Sequence, residues 1–221
     1  MTPTPLMNLS RSDQINQLTG GYGHIALDLV AEGWFPYLLV LKFHHLGGRR
    51  NTVIAQMHRE AERAHRWLCE RVWRNASAPS RRPWTPRWIL APDYPVAKGT
   101  KVSARSALRD LVPNDGLHLQ GLAVMPPGGR LREPLNEHLG PSGARYCPRG
   151  GPLLSLTATP ITSDLGYVHT YNFKALMRGR ASFDDILMLP RSSTELDSKP
   201  RPAEDPWRHP VLVRERPRSQ T

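Results

Sequence analysis

The sequence predicts an α+β domain in which a mainly antiparallel central sheet carries helices on one face. Three observations predict it. Short segments rich in apolar and aromatic residues are closed by Gly or Pro; one long segment repeats apolar residues at helical steps; and the two kinds follow one another as strand, helix, strand, strand, helix, strand, helix. At 221 residues the chain has room for one domain of ordinary size. We place it at 21–190, between a flexible N-terminus (1–20) and a disordered, proline-rich basic tail (191–221).

Within the domain, Ile25 to Val30 suits a strand or a short helix. Pro36 to Leu46 is apolar on both faces and ends at Gly47-Gly48, as a central strand should. From Asn51, a residue suited to an N-cap, Val53, Met57, Ala61, Ala64, Leu68 and Val72 form one stripe, the mark of a helix lying on the sheet. The basic, proline-interrupted stretch 75–86 reads as a loop. Arg87 to Ala91 reads as a short strand cut off by Pro92, and a strand ending in proline belongs near a sheet edge. Val102 to Leu111 suits a short helix, and Asn114-Asp115-Gly116 is a turn before the strand Leu117 to Met125. A helix over Arg130 to Leu139, a glycine-rich loop from Gly140 to Gly151 and a strand over Leu153 to Thr159 follow. The last helix starts at Ser163-Asp164 and runs to about Arg178 before Gly179.

Charge narrows the partners. Lysine and arginine total 30 against 19 acidic residues, a net charge of +11, which favours polyanions through counterion release and steering. No segment approaches the roughly 20 apolar residues that span a bilayer, and the first residues lack the charged start and apolar core of a secretory signal. A cytoplasmic protein is expected. Cys69 and Cys147 have no CxxC spacing and are expected to be structural thiols.

Two elements carry residues suited to chemistry. Alternation along the strand at 117–125 turns His118, Gln120, Leu122 and Val124 one way and an apolar row the other. An imidazole nitrogen and an amide oxygen on one face can both bind a divalent cation, and the third ligand is open between Asp93, His44 and His45. The same pair also suits an ordinary half-exposed strand face. On the last helix Tyr167, Tyr171, Lys174 and Arg178 fall on one stripe, with Leu165, Val168, Phe173 and Leu176 on the packing side. A lysine one turn from a tyrosine can favour the phenolate or neutralise a phosphate. Tyrosines at this spacing also occur simply packed with their hydroxyls in water.

These residues carry a resemblance. Gly116-Leu-His118-Leu-Gln120-Gly-Leu-Ala-Val-Met-Pro126 resembles the His-hydrophobic-His strand motif of the HUH endonucleases, and Tyr167-Val-His-Thr-Tyr171-Asn-Phe-Lys174 is similar to the tyrosine motif of their rolling-circle replication initiators, in the tandem-tyrosine form found in some phages, plasmids and transposases. The resemblance runs from about Pro36 to Arg178 and implies an HUH/RRM-like sandwich. It further implies Mg2+ or Mn2+ held by His118 and Gln120, attack of a tyrosine on single-stranded DNA or a DNA hairpin at a replication origin, and a 5′-phosphotyrosine with a free 3′ hydroxyl. Tyr171, followed by Lys174 at the family's spacing, is the first choice of nucleophile, and Tyr167 the second. Two positions depart from the pattern: Gln120 replaces the second histidine, and Thr170 stands where many relatives have lysine. The length leaves no helicase domain, which implies a host helicase and polymerase as partners.

Two other readings compete. A non-catalytic, degenerate relative would hold single-stranded nucleic acid by stacking and charge, with Trp84, Trp88 and Tyr94 as platforms. A scaffold would use the basic surface to meet acidic partners.

Overall fold

A computed structural model describes residues 9–94 and 113–191. Its elements in chain order are α1 (Arg11–Ala31), β1 (Phe35–Phe43), α2 (Arg50–Val72), β2 (Arg87–Asp93), β3 (His118–Met125), α3 (Leu135–Tyr146), β4 (Leu153–Pro160), α4 (Leu165–Asn172), α5 (Lys174–Met177) and β5 (Leu187–Leu189). The five strands form one sheet in the order β4-β1-β3-β2-β5, and every neighbouring pair is antiparallel. The α+β class with an antiparallel sheet is as expected. The helix at 102–111 and the tail beyond Arg191 lie outside the described residues.

One sheet face is built as its alternation dictates. Leu39, Leu41 and Phe43 of β1, Trp88 and Leu90 of β2, and Leu119 and Ala123 of β3 join the α2 stripe of Val53, Met57, Ala61, Ala64, Leu68 and Val72 in the main core. Leu135, Leu139 and Tyr146 of α3 close the same layer. The buried leucines and Met57 of this layer contribute roughly 2–5 kcal/mol each against truncation to alanine. Gly121 in the middle of β3 is required by backbone approach, because a β-carbon there would collide with the Ile89 carbonyl of β2. The buried histidines of this layer are paired: His65 Nε2 meets the Pro86 carbonyl at 2.8 Å, and His138 bridges Glu133 at 2.9 Å and the Tyr146 hydroxyl at 3.0 Å. Burial pushes the Cys69 thiol up to about 12, which makes it an inert core group.

Helices were expected on one face only, and the structure corrects this. α1, α4 and α5 lie on the opposite face. Ile15, Phe173, Ala175 and Leu176 pack on Ile89 and Ala91, while Ala26 and Trp34 pack on Leu122 and Val124. Two other boundaries move for the same reason. Residues 11–20, expected to be a flexible N-terminus, form the first half of α1, whose Ser10 side chain accepts from the Asp13 amide at 3.2 Å. The apolar stripe of α1 is thin, so its partner face decides its fold. Ile25 to Val30 is helical as part of it.

Three further differences have local causes. α3 begins after Pro134 and continues through Gly140 and Pro141 to Tyr146, where a loop was expected, and the buried His138–Tyr146 contact anchors that unpromising turn. The last helix breaks at Phe173 into α4 and α5. β2 runs through Pro92 to Asp93, where a stop before the proline was expected, and lies next to the edge strand β5, which pairs with Trp88–Leu90. β5 stops there, so Pro92 has β3 alone as its ladder partner, and a residue without an N–H is tolerated.

Candidate functional site

The polar end of the second sheet face forms the site. His118 opens β3 and stands opposite Asp93 at the end of β2, while Gln120, two residues on, lies between Val40 of β1 and Ala91 of β2. The Asn114 turn sets this geometry: its side-chain oxygen accepts from the Leu46 amide at 2.8 Å and its nitrogen donates to the His44 carbonyl at 2.9 Å, tying the start of β3 to the end of β1. Gly116 then presents its carbonyl 2.9 Å from His118 Nδ1. A carbonyl can only accept, so Nδ1 carries a proton, and in the neutral ring the lone pair falls on Nε2. That Nε2 lies 3.7 Å from Asp93 Oδ2.

The helical side is brought in from α4 and α5. Asp164 caps α4 as expected, accepting from the Tyr167 amide at 2.9 Å. The break at Phe173 turns Lys174 inward. Its ammonium lies 2.7 Å from Asp93 Oδ2, donates to the Tyr171 hydroxyl at 2.8 Å and sits 4.0 Å from the Tyr171 ring centroid. Burial works against the lysine charge, but the Asp93 carboxylate and the Tyr171 oxygen outweigh it and raise the Lys174 pKa. Tyr167 stacks on Tyr171 with ring centroids 6.2 Å apart and is the more exposed of the two, 65 % against 44 %.

His118, Asp93, Lys174 and Tyr171 are therefore one connected group, with Gln120 beside it on the same face. Gln120 is buried and its amide nitrogen has no partner among the described residues. That nitrogen is a hydrogen-bond donor, which no cation ligates; the groups of this face that can bind a hard divalent cation are the Gln120 amide oxygen, His118 Nε2 and the Asp93 carboxylate. Of the three candidates for a third ligand, Asp93 is the one facing His118. His44 and His45 are exposed residues past the end of β1. Among the described residues no cluster of three His, Cys, Asp or Glu side chains forms. Arg178, expected on the tyrosine stripe, is an exposed residue at the end of α5. Thr170 donates to the Gly166 carbonyl inside its own helix at 2.9 Å.

Sequence reasoning missed the ion pair between Asp93 and Lys174, and the support beneath α4. His169 Nε2 donates to the Thr19 carbonyl of α1 at 2.6 Å, its ring packs edge-on to Phe173, and Tyr22 of α1 stacks on Phe173. Burial lowers the His169 pKa. One signal was present: Leu165, His169, Asn172 and Leu176 share a helical stripe, which puts His169 on a packing side of the helix. Of the three aromatic platforms proposed, Trp88 is buried in the main core and the Tyr94 hydroxyl meets Arg50 at 3.3 Å; Trp84 is exposed. Among the described residues no helix is long and apolar enough to cross a membrane.

Comparison with known proteins finds no matching family model, no matching curated protein and no matching solved structure.

Proposed function

We propose that the chain is a nicking and joining endonuclease of the rolling-circle-initiator kind, acting on single-stranded DNA through Tyr171. The observation that carries the reading is the chain of contacts Asp93–Lys174–Tyr171 beside the Nε2 lone pair of His118. The partly exposed Tyr171 releases its phenolic proton to solvent, and the Lys174 ammonium, itself held by Asp93, stabilises the phenolate by donating to its oxygen. The phenolate oxygen bonds to the scissile phosphorus, the bond from phosphorus to the 3′ oxygen breaks, and that oxygen takes up a proton. The products are a 5′-phosphotyrosine and a free 3′ hydroxyl. His118, Gln120 and Asp93 are the residues that would hold Mg2+ or Mn2+, whose chemistry is to polarise the phosphate. Tyr167, stacked on Tyr171, is placed to accept the strand in a second transfer or to stack a base against the first.

One observation favours a binding module without chemistry. Lys174 already occupies the Asp93 carboxylate, so the third ligand is spoken for by an ammonium. The deciding experiment incubates the full chain with a library of single-stranded oligonucleotides, with and without Mn2+, and resolves covalent adducts on a denaturing gel. A metal-dependent adduct on Tyr171 supports the endonuclease. Salt-sensitive binding with no adduct under any metal supports the module.

A further inference from the structure

A second feature lies at the other pole of the sheet. Asp93 ends β2 and Arg87 begins it, so the two ends are separated by about 20 Å at the rise of an extended strand. Around Arg87 the structure assembles aromatic rings and arginines that the tyrosine site does not use. Trp84, at the end of the 3-10 turn Pro79–Trp84, stacks on Trp34 with ring centroids 6.2 Å apart and planes 8° from parallel. Trp34 beneath is 3 % exposed and Trp84 is 44 % exposed, so one indole is a rigid base and the other a surface. Trp73 locks the pair in place, its Nε1 donating to the Trp84 carbonyl at 2.7 Å. The Arg81 guanidinium lies 4.6 Å from the Trp73 ring centroid.

The charge is one-sided. From Arg71 to Pro92 the sequence holds Arg71, Arg74, Arg81, Arg82 and Arg87 and no acidic residue. Arg130 joins them, because its amide donates to the Val72 carbonyl at 2.8 Å. Arg87 is committed to the loop, reaching the Arg82 and Pro83 carbonyls at 3.3 and 3.4 Å. Among the described residues none of the other five forms an ion pair with a carboxylate, and the flanking Glu32 and Glu70 form none either.

We propose that this pole is a second contact for single-stranded nucleic acid, in which a base stacks on Trp84 and the backbone runs over Arg81 and Arg82. A flat indole backed by a second indole is a surface for another flat ring, and unpaired guanidiniums beside it supply the phosphate contacts. An acidic protein would need the charges but not the stacked platform. The inference does not depend on Tyr171 chemistry.

The test uses the full chain carrying Tyr171→Phe, so that binding stays non-covalent, and follows a fluorescein-labelled oligo(dT) by anisotropy across a salt series. Trp84→Ala weakens binding about tenfold, in line with the loss of one stacked base, and Trp84→Phe recovers most of it. The exposed pair Arg81→Gln/Arg82→Gln, which removes no packing of Trp34, lowers the slope of log affinity against log salt by about 1.4. Unchanged affinity in Trp84→Ala together with an unchanged slope in the arginine variant overturns the proposal. So does a pattern in which the variants lose binding to a polyglutamate peptide or to anionic vesicles while oligo(dT) binding is intact. A parent chain that forms no adduct in the nicking assay, yet shows these two effects, would refute the endonuclease and leave the platform standing.

Discussion

Lys174 is the residue on which the site turns, because it touches both the Tyr171 hydroxyl and the carboxylate beside His118. Replacing it by methionine keeps the stem and removes the charge; adduct formation should then slow by about 10²-fold, the scale of losing one aimed donor, measured by single-turnover gel assays. Tyr171→Phe should abolish the adduct and Tyr167→Phe should leave most of it. The reverse pattern would reassign the nucleophile. His118→Ala should remove the response of adduct yield to Mn2+ without changing the far-ultraviolet circular dichroism, since Nε2 bonds nothing structural and the Gly116 contact lies at the strand end. At this scale the sequence was informative about residue type but not about pairing. Tyr171 and Lys174 were legible from spacing, and Asp93 stood among three candidates until the β2–β3 register set it opposite His118.

At the scale of elements, β3 is the most constrained. Leu119, Ala123 and Met125 belong to the main core, Leu122 and Val124 pack beneath α1, His118 and Gln120 carry the site, and Gly121 lets β2 approach. Gly121→Ala should cost on the order of 3 kcal/mol in urea unfolding, because the clash is with backbone that cannot step aside. The strands β1 to β4 were legible as short apolar runs bounded by Gly or Pro, and helix α2 from its long apolar stripe. β5 and α1 were not. A three-residue strand carries no period, and α1 owes its fold to packing: Gly23 accommodates the His169 ring, which a β-carbon would meet at 3.0 Å, and the Thr19 carbonyl accepts a hydrogen bond from His169 Nε2. Neither contact has a signature in its own segment. The break at Phe173 was hidden for the same reason, since the helical spacing continues across it.

For the molecule as a whole, buried histidines set an acid limit. Burial lowers the His65 pKa from 6.5 to about 4, so the unfolded chain takes up a proton that the folded one refuses. Stability should therefore be at its full value above pH 6.5 and fall as pH drops toward 4, by roughly 3 kcal/mol for this one group, with His169 acting in the same direction. Urea unfolding at stepped pH checks this, and His65→Gln should flatten the dependence between those values. The charge of the chain acts at this scale too. The tyrosine site and the Trp84 platform lie at opposite poles of the sheet, so their contributions to binding should add within about 0.5 kcal/mol in a double-variant cycle.

Composition and periodicity alone determined the α+β class, the apolar face of the sheet, the basic surplus, and the residues His118, Gln120, Tyr167, Tyr171 and Lys174 as candidates, because each is a property of a short stretch of chain. Only the tertiary structure decided that α1, α4 and α5 cover the second face, that Asp93 holds Lys174, and that Trp84 rests on Trp34. Those are contacts between segments far apart in sequence, and no local pattern encodes which buried surface another will meet.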